Sequence, residues 1–245
     1  MIAEKYGAAI IAYDFKQAGS TAKVDYVSDA DALIVNAIYF EANWYHKFNK
    51  GFTKKAMFHH SADNKEKVDY INEYRKNRMY AENEVVQVLS LPYKDTSYSF
   101  NIFLPKKRFD IDELRAKLDG AAIQNLLSCS RSTYLSKISI PKMKLEKDYE
   151  LKQALLAMGV TYLFDSASAD LSGISKVGLY ASDAKHRAFI EVDEEGTTAA
   201  AATYIGIRKP MMLTIHQNPK KFIADHPFIF ILNKDKNALF IGQFV

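Results

Sequence analysis

Residues 32–40, ALIVNAIYF, form a near-continuous apolar run rich in β-branched and aromatic side chains. A strand of this kind needs cover on both faces, so the run predicts a central strand of a buried sheet. Asn36 falls in its middle, and a buried amide needs hydrogen-bond partners. It is either a structural pin or part of a polar network. Trp44 follows the run and is expected to cap one end of the strand.

Residues 188–207, AFIEVDEEGTTAAAATYIGI, begin as a strand, meet an acidic step and a glycine, and run into Thr and Ala. Read at period two from Thr197, one face carries Thr197, Ala199, Ala201, Thr203, Ile205 and Ile207. That face is small and then apolar, so it could lie on a core as a strand. The Ala run has no branching and the best helix propensity, so it is not committed to a strand. Gly196 offers backbone freedom where such a segment would hinge. Two readings stand side by side: a flexible surface loop, or a segment able to sit outside a sheet or inside it.

Elsewhere the strand and helix signals are local. Residues 8–15 read as a strand and 16–28 as a connection. Residues 52–83 are charged, with short strand-like pieces such as VDYINEY. Residues 85–93 and 98–104 alternate as strands around KDTS, which predicts a hairpin. Asp110 with Glu113 reads as a capping box for a helix that buries Ile111, Leu114 and Leu118. Residues 121–127 suggest a second helix. Residues 133–145 return to strand, with Pro141 favouring an edge or bulge. Asp148 is placed as the cap of a helix that buries Leu151, Leu155 and Met158 and stops at Gly159. Residues 169–175 form a turn, and 227–232 with 238–244 a final hairpin. The fold class is α+β, rich in strands.

Several chemistries lack their motifs. There is no GxSxG, P-loop, GxGxxG, CxxC or HExxH pattern, so neither an enzyme nor a cofactor is expected. Adjacent His59 and His60 face opposite ways on a strand, so no shared metal is expected. A net charge of +4, from 33 basic and 29 acidic residues, does not point to nucleic acid. Lys54 with Lys55, and Lys106 to Arg108, lack aromatic interleaving and read as solvated faces rather than a glycosaminoglycan site. No run of about 18 apolar residues exists to span a membrane. The first residues lack a signal-peptide pattern, which by sequence implies a cytoplasmic chain. The single cysteine, Cys129, excludes an internal disulfide.

Five segments together resemble the serpin family of serine protease inhibitors. They are VNAIYFEANW at 35–44, SIPKMKLEKDYELKQALLAMGV at 139–160 with ADLSGIS at 169–175, HRAFIEVDEEGTTAAAAT at 186–203, FIADHPFIFIL at 222–232 and LFIGQFV at 239–245. The resemblance implies one serpin-like domain over 1–245, with mixed and antiparallel sheets, few helices, an exposed reactive-centre loop at about 194–216 and a C-terminal hairpin at 227–244. It implies a hinge formed by Glu194, Glu195, Gly196, Thr197, Thr198, Ala199, Ala200, Ala201, Ala202 and Thr203. Thr198 departs mildly from the Glu often found there. Lys142 and Glu194 match a pair that bridges the top of the sheet. Asn36 and His186 match a hydrogen-bonded pair where the sheet opens, and Trp44 matches the point of first insertion. The usual count from the hinge lands on Pro210, which suits few proteases. Met211 is the favoured scissile residue, with Met212 and Arg208 as the other candidates.

The implied activity is suicide inhibition of a serine or cysteine protease: the cleaved loop enters the central sheet and carries the acyl-enzyme with it. The resemblance also implies a location outside the cell, where family members are common. The chain departs from the family in its extent. It starts about where the first strand of the central sheet appears, and residues 16–29 are too short for the helix that crosses the sheet in relatives. It is therefore expected to be an incomplete domain, truncated at its N-terminus. That leaves an alternative function: a non-inhibitory isoform that acts by binding or is inactive.

Overall fold

Residues 85–105 fold as expected, into β5 (Val86–Pro92) and β6 (Tyr98–Pro105) joined by a tight turn. They lie at the middle of an eight-stranded sheet in the computed structural model. The structure describes residues 32–173, 178–197 and 219–245. The strand and connection expected over 8–28 lie outside the described residues. The described chain separates into two units, one of residues 32–39 with 145–189 and one of residues 40–144 with 190–245.

The larger unit holds the eight-stranded sheet. The order is β11 (Lys220–Ile223), β7 (Arg131–Pro141), β4 (Lys65–Glu82), β5, β6, β12 (Phe228–Lys234) and β13 (Asn237–Phe244), with β3 (Lys54–His59) also paired to β4. β4 is one strand of 18 residues, not the short pieces expected. β7 runs antiparallel along one edge of it from Tyr70 to Tyr80, and β3 and then β5 occupy the other. Its charged residues at 65–67 and 75–76 fall at exposed positions, which hides the strand from a hydrophobic pattern. Pro141 ends β7 rather than marking an edge strand, since β7 is flanked by both β4 and β11.

Both faces of the middle strands are covered. Val86, Val88, Phe103, Ile229 and Ile231 pack against helices α1 (Ile111–Lys117) and α2 (Gly120–Ser128) through Ile111, Leu114, Ile123 and Leu127. The alternate residues Leu89, Phe100, Ile102 and Phe230 are also buried, and the Phe100 and Phe230 rings stack at 5.4 Å. α2 is capped by Asp119, whose side chain accepts from Ala122 N. α1 starts after Asp110, but Asp110 makes no capping bond. Its carboxylate faces Lys107 at 3.3 Å instead.

The smaller unit contains β1 (Leu33–Tyr39), which lies parallel to β9 (Asp183–Val192) with Leu33 opposite Asp183 and Tyr39 opposite Phe189. β8 (Met143–Glu150) pairs with the other side of β9. The strand at 32–40 is where the apolar run predicts it, but Ile34, Val35 and Asn36 are exposed. Among the described strands, only β9 flanks β1, and the described residues leave Ile34, Val35 and Asn36 uncovered. Helix α3 (Leu151–Ala157) buries Leu151 and Leu155 against Phe164, Ala181 and Ala184. It ends at Gly159 with φ +89°. Gly159 N and Val160 N reach back to Leu156 O and Leu155 O, satisfying carbonyls of the last turn. Two expectations fail here. Met158 is 72% exposed, because it falls in the C-terminal turn past the apolar stripe. Asp148 lies on β8 and faces Arg187, so it caps nothing.

Candidate hinge site

Where β9 ends, the chain reverses over four residues. Asp193 Oδ1 accepts from Glu195 N at 2.7 Å and Gly196 N at 3.0 Å, and Asp193 N donates to Gly196 O. A short carboxylate thus satisfies two amides that the turn leaves free. The chain then returns as β10, Gly196–Thr197. Thr197 pairs with Val192 on one side and Ala42 on the other, and Gly196 pairs with Asn43 of β2 (Ala42–Asn43). Two residues of the segment are therefore already strand, with a neighbour on each edge.

Gly196 is needed for space. A Cβ there would lie 2.1 Å from Ala42 O and 2.7 Å from Asn43 Cα. Its φ is not in the left-handed region, so close approach, not hinge freedom, explains this glycine. Thr197 is fully buried, with its Oγ1 2.5 Å from the Tyr93 hydroxyl. Burial pushes the Tyr93 phenol well above its ordinary value, and the bond to Thr197 pulls the other way.

The segment from Trp44 to Phe48 takes up the turn's carbonyls. Trp44 Nε1 donates to Asp193 O at 2.8 Å, Trp44 N to Glu195 O at 2.9 Å and Phe48 N to Glu194 O at 2.9 Å. Trp44 is buried and stacks on Tyr93 at 4.6 Å. The two glutamates are held separately. Glu194 accepts from Thr53 Oγ1 at 2.5 Å and Lys142 Nζ at 2.9 Å. Glu195 accepts from Lys47 Nζ at 2.5 Å, with Lys50 at 3.3 Å. Beyond the loop, Lys220 at the start of β11 pairs with Glu82. Lys106 and then Lys220 hold the Glu82 carboxyl down at about 2.

Burial alone would raise Glu194, but its bonds from Thr53 and Lys142 prevail and hold it below its ordinary value. The bond from Lys47 is the largest influence on Glu195 and holds it low as well, against burial. A depressed carboxylate stabilises the folded state above its unfolded value, and that stabilisation is lost as pH falls through the lower, folded value. The clamp should therefore hold at neutral pH and loosen only below the ordinary glutamate value of 4.5. Trp44, the chain's one tryptophan, reports this directly. In an acid titration its emission should change below pH 4.5, and the Glu194→Gln/Glu195→Gln variant should lack that component. An identical titration for the variant would refute the clamp.

Of the residues singled out by sequence, Trp44, Lys142, Glu194, Glu195, Gly196 and Thr197 come together here. Thr198, Ala199, Ala200, Ala201, Ala202, Thr203, Arg208, Met211 and Met212 lie outside the described residues. Asn36 and His186 stand opposite each other in the β1–β9 register, but no hydrogen bond joins them. The His186 ring stacks instead on Tyr149 of β8, on the far side of β9 from β1, and its Nδ1 has no partner among the described residues. Thr53, Lys47, Lys50, Tyr93 and Phe48 were not legible in advance, since each reaches the turn from a distant segment. Asp193 carried a local signal, an acidic residue three before a glycine at a strand end.

A family profile described as serpin (serine protease inhibitor) matches residues 20–245. The chain is similar to Iripin-2 of Ixodes ricinus, 36% identical over 220 residues that cover 88% of this chain and 54% of that protein. It is similar to the leukocyte elastase inhibitor of Homo sapiens, 37% identical and covering 86% of this chain and 57% of that protein. Among solved structures it resembles Serpin48, described as a highly specific serpin of the insect Tenebrio molitor. The TM-score is 0.74 at 32% identity, covering 86% of this chain and 55% of that one. The chain thus spans about half the length of the relatives it matches.

Proposed function

The chain belongs to the serpin family, and from that premise we propose that it inhibits a serine protease by trapping it as an acyl-enzyme. The target's serine attacks the carbonyl of a loop residue. The peptide C–N bond breaks, the downstream segment leaves as an amine, and the upstream segment remains as an ester on the protease. The freed segment, from Thr198 onward, then continues the strand that Gly196 and Thr197 have begun. Each inserted residue gains ladder hydrogen bonds, and the parallel β1–β9 ladder parts to admit it. The protease is carried along before its ester is hydrolysed. Met211 is the residue we place at the cut, with Met212 and Arg208 as the other candidates; methionine suits a chymotrypsin- or elastase-like enzyme.

The observation that supports this reading is the seating of Gly196 and Thr197 between two strands. It gives the cleaved segment a nucleus to extend. Incubation with chymotrypsin-, elastase- and trypsin-like proteases tests it. An SDS-stable complex is expected with one of them, and the mass of the released C-terminal peptide identifies the cut bond. Cleavage without any complex would overturn trapping and leave a non-inhibitory chain that acts by binding or is inactive.

A further inference from the structure

Beneath the Trp44–Phe48 segment lies a buried ion pair that the steps above do not use. Glu73 and Arg78 are both on β4, five residues apart. Five extended residues span about 16 Å and place their side chains on opposite faces. Yet Arg78 Nε lies 2.8 Å from Glu73 Oε2, and Nη2 lies 2.9 Å from Oε1. Between them Arg75 adopts φ +55°, a left-handed kink. The pair is a two-pronged fork. Their side chains are 4% and 10% exposed, so neither charge has water to fall back on.

The guanidinium does more than neutralise Glu73. Its Nη2 also donates to His46 O at 3.2 Å, and it lies 5.3 Å from the Phe48 ring centroid. His46 and Phe48 belong to the segment whose Trp44 N, Trp44 Nε1 and Phe48 N hold three successive carbonyls of the turn. Among the described residues, Arg78 makes its hydrogen bonds to Glu73 and His46 and none to the turn. A lysine could face Glu73 but could not offer the planar fork that spans Glu73 and His46 O at once while lying over the Phe48 ring.

We propose that Arg78 is a positioning residue for the hinge: through its contacts to His46 O and the Phe48 ring, rather than through its charge pairing with Glu73, it holds the 44–48 segment in place so that Gly196 and Thr197 stay seated. The consequence for inhibition rests on the proposed function, whereas the structural coupling does not. Hydrogen exchange followed by mass spectrometry on the full chain tests it, using Arg78→Lys and Glu73→Gln. Exchange of the peptide carrying Gly196 and Thr197 should rise about tenfold in Arg78→Lys relative to β12, with a red shift of Trp44 emission. Glu73→Gln leaves the guanidinium its contacts to His46 O and the Phe48 ring, so, although an unpaired buried charge weakens the fold as a whole, its hinge exchange relative to β12 should stay within about twofold of the parent's. A merely structural pair would move both variants alike. If Arg78→Lys does not fold, the Glu73→Gln/Arg78→Gln pair, which removes both charges together, carries the same expectation as Arg78→Lys. Hinge exchange that keeps pace with β12 in every folded variant lacking Arg78, or rises equally in Glu73→Gln, overturns the proposal. Failure of the parent to trap any protease would refute the functional reading and leave the exchange result standing.

Discussion

On the proposed trapping mechanism, Thr197→Arg will convert the chain from an inhibitor into a substrate. The parent side chain is fully buried, and its hydroxyl meets the Tyr93 hydroxyl at 2.5 Å. Arginine at that position must either bury a guanidinium or withdraw from the strand. The nearby carboxylates cannot receive it, because Glu194 is engaged by Thr53 and Lys142 and Glu195 by Lys47 and Lys50. Burying an unpaired charge costs several kcal/mol. Each 1.4 kcal/mol, about, is a factor of ten in the balance of states, so insertion should slow by about a hundredfold or more. Trapping is a race between insertion and hydrolysis of the ester, so the variant should be cleaved at the parent's rate and yield no covalent complex. Thr197→Ser keeps the hydroxyl facing Tyr93 and should still trap. The yield of SDS-stable complex per cleavage event decides the matter, and a Thr197→Arg yield equal to the parent's would refute the role given to the seated residue.

Why the turn at 193–197 leaves a trace in the sequence while its supports leave none follows from what each depends on. Residues 193–197 carry their own geometry: an aspartate that accepts two amides, then a glycine where backbones meet. The hairpins and the end of α3 are local in the same sense, since Gly159 closes its helix through its own dihedral. β4 reads as fragments because the charges at 65–67 and 75–76 sit on exposed positions and erase the apolar alternation. β1 carries the opposite error. Its composition reports a need for cover, and composition cannot say which element provides it. Asp110 and Asp148 precede helices as Asp119 does, but only Asp119 has its oxygen aimed at a free amide. Capping depends on a backbone angle that residue type does not determine. Thr53 and Tyr93 reach the turn across 141 and 104 residues, and no pattern in their own neighbourhoods announces those contacts.

Gly196→Ala should unseat the hinge, with a sign opposite to the usual outcome of this substitution. Glycine to alanine ordinarily stabilises by about 0.4–1 kcal/mol where the native dihedrals permit it, because the unfolded chain loses freedom. The dihedral at Gly196 raises no objection, since it lies outside the left-handed region. Space does. The added carbon would sit 2.1 Å from Ala42 O, 2.7 Å from Asn43 Cα and 2.9 Å from Ala42 C. All three are backbone atoms of β2, so no side chain can swing aside to relieve the contact. β10 and β2 must separate, which breaks the Gly196–Asn43 pairing and strains the neighbouring bond from Trp44 N to Glu195 O. Overpacking of this kind costs about 1–3 kcal/mol, more than the entropic gain. Net destabilisation of up to about 2.6 kcal/mol is therefore expected in urea unfolding, the difference of the two effects. Because the clash is confined to one edge, the loss should concentrate there. Hinge peptides should exchange faster while β5, β6 and β12 keep their protection, and the fraction of protease trapped should fall. A variant more stable than the parent, with trapping intact, would show that β10 does not need its close approach to β2. The seating of Gly196 would then be incidental to the insertion it is proposed to begin.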